Sequence, residues 1–210
     1  FYPDADPETT SVDGHASRDG ISEIFTTIRA GAGTSFRDTG GGGDQYCWLR
    51  AHAVTNPNYD IVARMFLLFY TFSLPDGDTI NSATLDLFFR ASANTFTEAG
   101  SVRVVTTTPA SDTAIAAADF TQTGSVAQAT DLTIAGIDAT NTVYTVIALN
   151  ATGLSNISKT GVSKFGLREV GETDNVAPTW GAGQERRVNC WAADEAEAGE
   201  KRPRLVVTHT

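Results

Sequence analysis

A chain of 210 residues with 19 glycines and only 19% charged residues suits many short strands and tight turns better than long helices. Its formal net charge of −10, from 25 acidic against 15 basic residues, repels phosphate backbones and argues against a nucleic-acid partner. No apolar run reaches the roughly 18 residues that span a bilayer, so no membrane insertion is expected. All-β chains of this length are commonly one domain, and no linker or internal repeat divides this one.

In chain order, residues 1–20 hold Pro3, Pro7 and several aspartates and read as an irregular opening segment. The start at Phe1, without methionine, reads as a processed terminus or an excised piece of a longer chain, and a processed start hints at export. Residues 24–29, rich in Ile, Phe and Thr, suggest a short strand. Residues 31–44 end in four consecutive glycines and suggest a Gly-rich mobile loop. A strand over 45–52 follows, with Cys47, Leu49 and Ala51 opposing Tyr46, Trp48 and Arg50.

The organising stretch is 61–89. Two apolar runs flank Leu74-Pro75-Asp76-Gly77-Asp78, which has the chemistry of a tight turn, and together they predict a β-hairpin at the core. The second run alternates like a half-buried strand. The first is apolar on both faces, with Phe66, Leu68, Tyr70 and Phe72 on one of them. Further strands are expected over 101–107, 142–149, 162–170, 187–193 and 204–208, and two weak ones near Val126 and over 132–135. A helical turn or two fits 114–120. A short helix fits 150–158, capped by Asn150 or Thr152, and 171–185 reads as a long loop. The fold class is all-β: an antiparallel β-sandwich with one or two short helices.

The run Arg64-Met65-Phe66-Leu67-Leu68-Phe69, then Leu74-Pro75 and Ile80-Asn81-Ser82-Ala83-Thr84-Leu85, resembles the opening hairpin of DNRLRE-type secreted β-sandwich domains. Val146-Ile147-Ala148-Leu149, a short helix, then Lys164-Phe165-Gly166-Leu167-Arg168, and the closing Arg202-Pro203-Arg204-Leu205-Val206-Val207-Thr208 extend the likeness. Tyr70 stands where that family usually has an aspartate. The opening segment is similar to uncharacterised phage and environmental bacterial surface proteins. The resemblance implies a jelly-roll-like module, related to carbohydrate-binding modules, used for display, adhesion or glycan contact.

No nucleophile, zinc or phosphate-loop motif occurs, and the three histidines are scattered, so a non-catalytic role is expected. Asp4, Asp6 and Asp13 share one segment and supply the hard oxygens that suit a structural Ca2+, although aspartate beside proline and glycine is also ordinary turn chemistry. Glycan contact needs exposed aromatic rings, and Trp180, Tyr46, Trp48 and Tyr59 are the candidates. Cys47 and Cys190 lie in matching contexts, each before a tryptophan, and an exported protein would favour a disulfide between them. Phe66, Leu68, Tyr70 and Phe72, joined by Phe88, would form an apolar outer face. Either the chain itself covers that face or another copy does. The expected function is a structural or adhesive protein of a virion, filament or cell surface. It would assemble with copies of itself or with a virion or filament protein. A carbohydrate-binding module is the alternative.

Overall fold

The chain folds as an all-β antiparallel sandwich, and the computed structural model describes residues 1–39, 44–195 and 201–210. One sheet contains β1 (Asp13–Ile24), β2 (Ser35–Arg37), β3 (Asp44–Ala51), β4 (Asn58–Tyr70), β6 (Phe89–Asn94), β7 (Ser101–Thr106), β8 (Leu132–Thr133), β10 (Val162–Glu169) and β11 (Glu185–Trp191). The other has the order β12 (Arg204–His209), β5 (Ile80–Leu87), β9 (Thr145–Ala148). Three short helices join them: α1 (Phe25–Ala30), α2 (Ala151–Ser155) and α3 (Val170–Asp174).

β4 is the axis of the molecule. Met65 pairs with His15 on one side and Leu167 on the other, while Ala63 pairs with Ser17 and Trp48. β1 therefore occupies one edge of β4, and β10 and β3 divide the other, at 65–70 and 59–63. Leu49 opposes Val62, on the face of β4 that carries Phe66 and Leu68. Cys47, on the same side of β3 as Leu49, instead joins the cluster of Met65, Leu67 and Phe69 on the opposite face. β3, with β11 and β6 behind it, thus peels away from β4 and folds over that face. The second sheet closes the same core with Leu85, Leu87, Ile147 and Leu205.

A second apolar layer covers the other side of β4. Phe25 and Ile28 of α1, with Val12, Ile115 and Phe120, pack on Val62, Phe66 and Leu68. The lone arginine of the apolar run, Arg64, is buried in this layer. Its guanidinium lies 3.9 Å from the Phe120 ring centroid and donates to the carbonyls of Phe120 and Arg29 and to Glu172. Arg168 donates to both oxygens of the same carboxylate, at 2.8 and 2.6 Å. Burial pushes the Glu172 carboxyl up, but the Arg64 and Arg168 charges outweigh it and hold it below the ordinary range.

Several sequence expectations are corrected. The hairpin is not one: β4 and β5 lie in different sheets, so the Pro75-Asp76-Gly77 turn is a corner between layers. Residues 13–24 form β1 despite their polar sequence, because β4 offers them a full edge, and a bulge is accommodated at Gly20 with φ +69°. Residues 25–30 are helical, since Phe25 and Ile28, three apart, both turn inward. Within the expected loop over 31–44, residues 35–37 pair with β1, and the glycines at 40–43 lie outside the described residues. Residues 132–133 pair as β8 while the next three form a 3₁₀ turn. The Asn150 cap is present, its side chain accepting the Gly153 N–H at 2.9 Å.

Candidate functional site

The three aspartates expected to share a metal are engaged in different ways. Asp4 caps its own turn: one carboxylate oxygen accepts the N–H and hydroxyl groups of Thr9 and Thr10. Asp6 donates its amide to Asp194, and Asp13 is buried against Gln45 and the Ala193 amide. Asp4 thus does the turn-capping work that aspartate does beside proline, and the three carboxylates have different hydrogen-bond partners.

The expected disulfide is absent, and Cys47 and Cys190 are both buried and not bridged to one another. They sit on one face of adjacent strands, as anticipated, but two positions out of step. Cys47 opposes Val188 and Cys190 opposes Gln45. Such diagonal neighbours stand about 7–8 Å apart, beyond the reach of a bridge.

The expected assembly face is broken up. Phe66 and Leu68 are fully buried under α1 and the Phe120 turn. Phe88 is buried elsewhere, edge-on to Tyr144 at 5.0 Å. Only Tyr70 and Phe72 remain exposed, at 42% and 57%, stacked with ring centroids 5.9 Å apart. The cover comes from the chain itself, though not from α2 or, among the described residues, from 31–39.

The four aromatics proposed for ligand contact fall into two places. Trp180 and Tyr59 line an open apolar cleft of about 390 Å³ with Ile24, Pro57 and Pro178. Their polar atoms are already engaged: the Trp180 indole donates to the Asn58 carbonyl and the Tyr59 hydroxyl to that of Pro178, each at 2.8 Å. Ligand sites need a few polar groups left to orient the ligand, and this cleft offers little.

Tyr46 and Trp48 stand instead on the outer face of the peeled layer, half-buried and edge to face at 5.6 Å. The strand period turns their neighbours Cys47 and Leu49 into the core. Register then builds two cross-strand rows: Ala93, Arg187 and Trp48, and below them Ala91, Asn189 and Tyr46. The guanidiniums of Arg50 and Arg187 lie 5.1 and 5.2 Å from the Trp48 ring. Asp60 fixes Arg50 by two bonds of 2.9 Å, while Glu185 approaches Arg187 only to 3.9 Å. The Trp48 indole N–H is buried without an acceptor.

Tyr46 rests on the ring of His15, with centroids 3.7 Å apart. Burial, aided by the Arg37 charge, lowers the His15 pKa to about 4, so the ring is neutral near pH 7. The result is an aromatic ridge with the neutral His15 ring against Tyr46, two guanidiniums over Trp48, and small alanines beside it. It can stack sugar C–H faces, and Arg187, whose fork is not held as that of Arg50 is by Asp60, can donate to hydroxyl or carboxylate oxygens.

Sequence reading named Tyr46 and Trp48 and set Arg50 on the same face of their strand, but missed Arg187 and His15, whose places depend on pairing and packing across distant strands. No family model, curated protein or solved structure matches the chain.

Proposed function

We propose that this chain is a non-catalytic β-sandwich module that binds glycans on the outer face of β3 and β11, displayed on a cell or virion surface. The observation that carries the reading is the Tyr46 and Trp48 pair on an outward face, with the guanidiniums of Arg50 and Arg187 over the Trp48 ring. A ridge of this kind suits sugars bearing carboxylates, since Arg187 is only loosely held by Glu185. The resemblance to DNRLRE-type domains points the same way, as an analogy of fold.

Self-assembly into a virion or filament is the second reading, and it now rests on a smaller feature, the exposed stack of Tyr70 and Phe72. Two rings are far less than the several hundred Å² that a lasting interface buries, so glycan contact is preferred.

Gel-retardation titrations with uronate-rich and neutral polysaccharides test the proposal. Wild type should be retarded by the uronate-rich set, and Trp48→Ala or Tyr46→Ala should weaken binding about tenfold, the worth of one aromatic contact. Binding untouched by both substitutions would remove this face from the function.

A further inference from the structure

Next to the contact of Tyr46 with His15, the start of β1 meets the first turn of β3 and the residues after β11. Between them lies a partly open cavity of about 10 Å³, lined among others by Asp13, His15, Arg37, Asp38, Gln45 and Asp194. A space of that size holds one water molecule or one bare ion.

Asp13 is 1% exposed. Its carboxylate accepts the Ala193 N–H at 3.0 and 3.2 Å and the Gln45 side-chain amide. Among the described residues no hydrogen bond or ion pair joins it to a cationic side chain. A buried carboxylate needs a counter-charge or a proton, because neutral donors replace only part of its lost hydration. Gln45, 2% exposed, commits its amide nitrogen to Asp13, and its Oε1 is buried with no donor. An oxygen lacking a donor beside a carboxylate lacking a counter-charge is the environment a metal cation completes.

The surroundings have the same sign. Asp38 and Asp194 face the cavity, Arg37 is the one cation among the lining residues, and Glu8 lies close enough to act on Asp13. Among the described residues no three His, Cys, Asp or Glu side chains already form a metal-ready group. Amide and main-chain oxygens would therefore complete the shell. That donor mix belongs to Ca2+, whereas Zn2+ prefers nitrogen and sulfur, and Mg2+ keeps waters for which there is no room.

We propose that this cavity binds one Ca2+ ion through Asp13, the Gln45 Oε1 and a carboxylate of Asp194 or Asp38. The ion would tie β1 to β3 and to the end of β11 beside the aromatic ridge. The site differs from the Asp4, Asp6 and Asp13 set read from the sequence, and it does not depend on glycan binding.

The test is calorimetric titration of Ca2+ and Mg2+ into chelator-treated protein, without polysaccharide, paired with melting scans. Elemental analysis first establishes whether chelation has emptied the protein. One Ca2+ per chain, or one retained through chelation, with a melting temperature raised by several degrees, supports the site. Asp194→Asn, at the rim, and Asp13→Asn should each weaken Ca2+ binding about tenfold or more, the Asp194 variant keeping the near-ultraviolet spectrum of the wild type. An emptied, folded wild type that gives no heat and an unchanged melting temperature overturns the proposal, leaving Asp13 as a buried neutral acid. Ca2+ affinity unchanged in both variants also overturns it, by placing the ion elsewhere.

Discussion

The Cys190 thiol lies 3.4 Å from the Met65 thioether sulfur, across the two layers and not toward Cys47. This contact records the folding of β11 over β4, because Cys190 and Met65 belong to strands that share no pairing. Burial pushes the Cys47 thiol well above its ordinary pKa, so it is a poor nucleophile in the native state. Alkylation without reductant should leave native protein unmodified and add two labels after denaturation. A mass two hydrogens lower, with no labels, would show a bridge instead.

The buried trio of Arg64, Arg168 and Glu172 predicts both a cost and its pH dependence. Glu172→Gln leaves two buried guanidiniums without their counter-charge and should cost about 3–5 kcal/mol. The folded Glu172 pKa is depressed, so the unfolded chain binds the extra proton on acidification. The contribution is complete above the ordinary glutamate pKa of about 4.5 and is lost as pH falls through the lower folded value. Urea melts of wild type and variant should converge in acid. A constant gap down to pH 3 would refute the assignment.

Gly166 marks where β10 meets β4 just beyond the point at which β3 peels away. A Cβ added there would stand 2.2 Å from the Met65 carbonyl oxygen and 2.7 Å from a Thr107 methyl carbon. Because the nearest atom is backbone, Gly166→Ala must shift a strand and should cost about 1–3 kcal/mol in chemical denaturation. Unchanged stability would mean that the two strands sit further apart than described.

Phe66 and Phe72, on the same alternation of one apolar stretch, should behave oppositely. Phe66→Ala empties a packed site between α1 and the Phe120 turn and should cost about 3–5 kcal/mol. Phe72→Ser alters a side chain that is 57% exposed and should change stability by under about 0.5 kcal/mol. Light scattering on Phe72→Ser separates the two functional readings, since dissociation of a wild-type oligomer would favour assembly.

The strands were largely legible because alternation reports which side of a residue is buried. It does not report by what. β4 is apolar on both faces because two different layers cover it, and Leu74-Pro75-Asp76-Gly77 fits a hairpin and an inter-sheet corner equally well. Six residues of α1 are too few for a helical period to show, and β1 is polar because Asp13, His15 and Ser17 are buried among polar partners. At the candidate face, Tyr46 and Trp48 could be read from their own strand. Arg187, which completes it, is 139 positions from Trp48, and only register joins them.

Phe88 is the single residue between β5, in one sheet, and β6, in the other. Packed sheets normally meet only through side chains, which can slip past one another under load. Here the two layers are also joined at a corner by an unbroken run of peptide bonds with no slack loop to take up displacement. Shear between the sheets would have to strain covalent geometry or unpair β6 from β11, so the sandwich should resist sliding far better than it resists being peeled strand by strand.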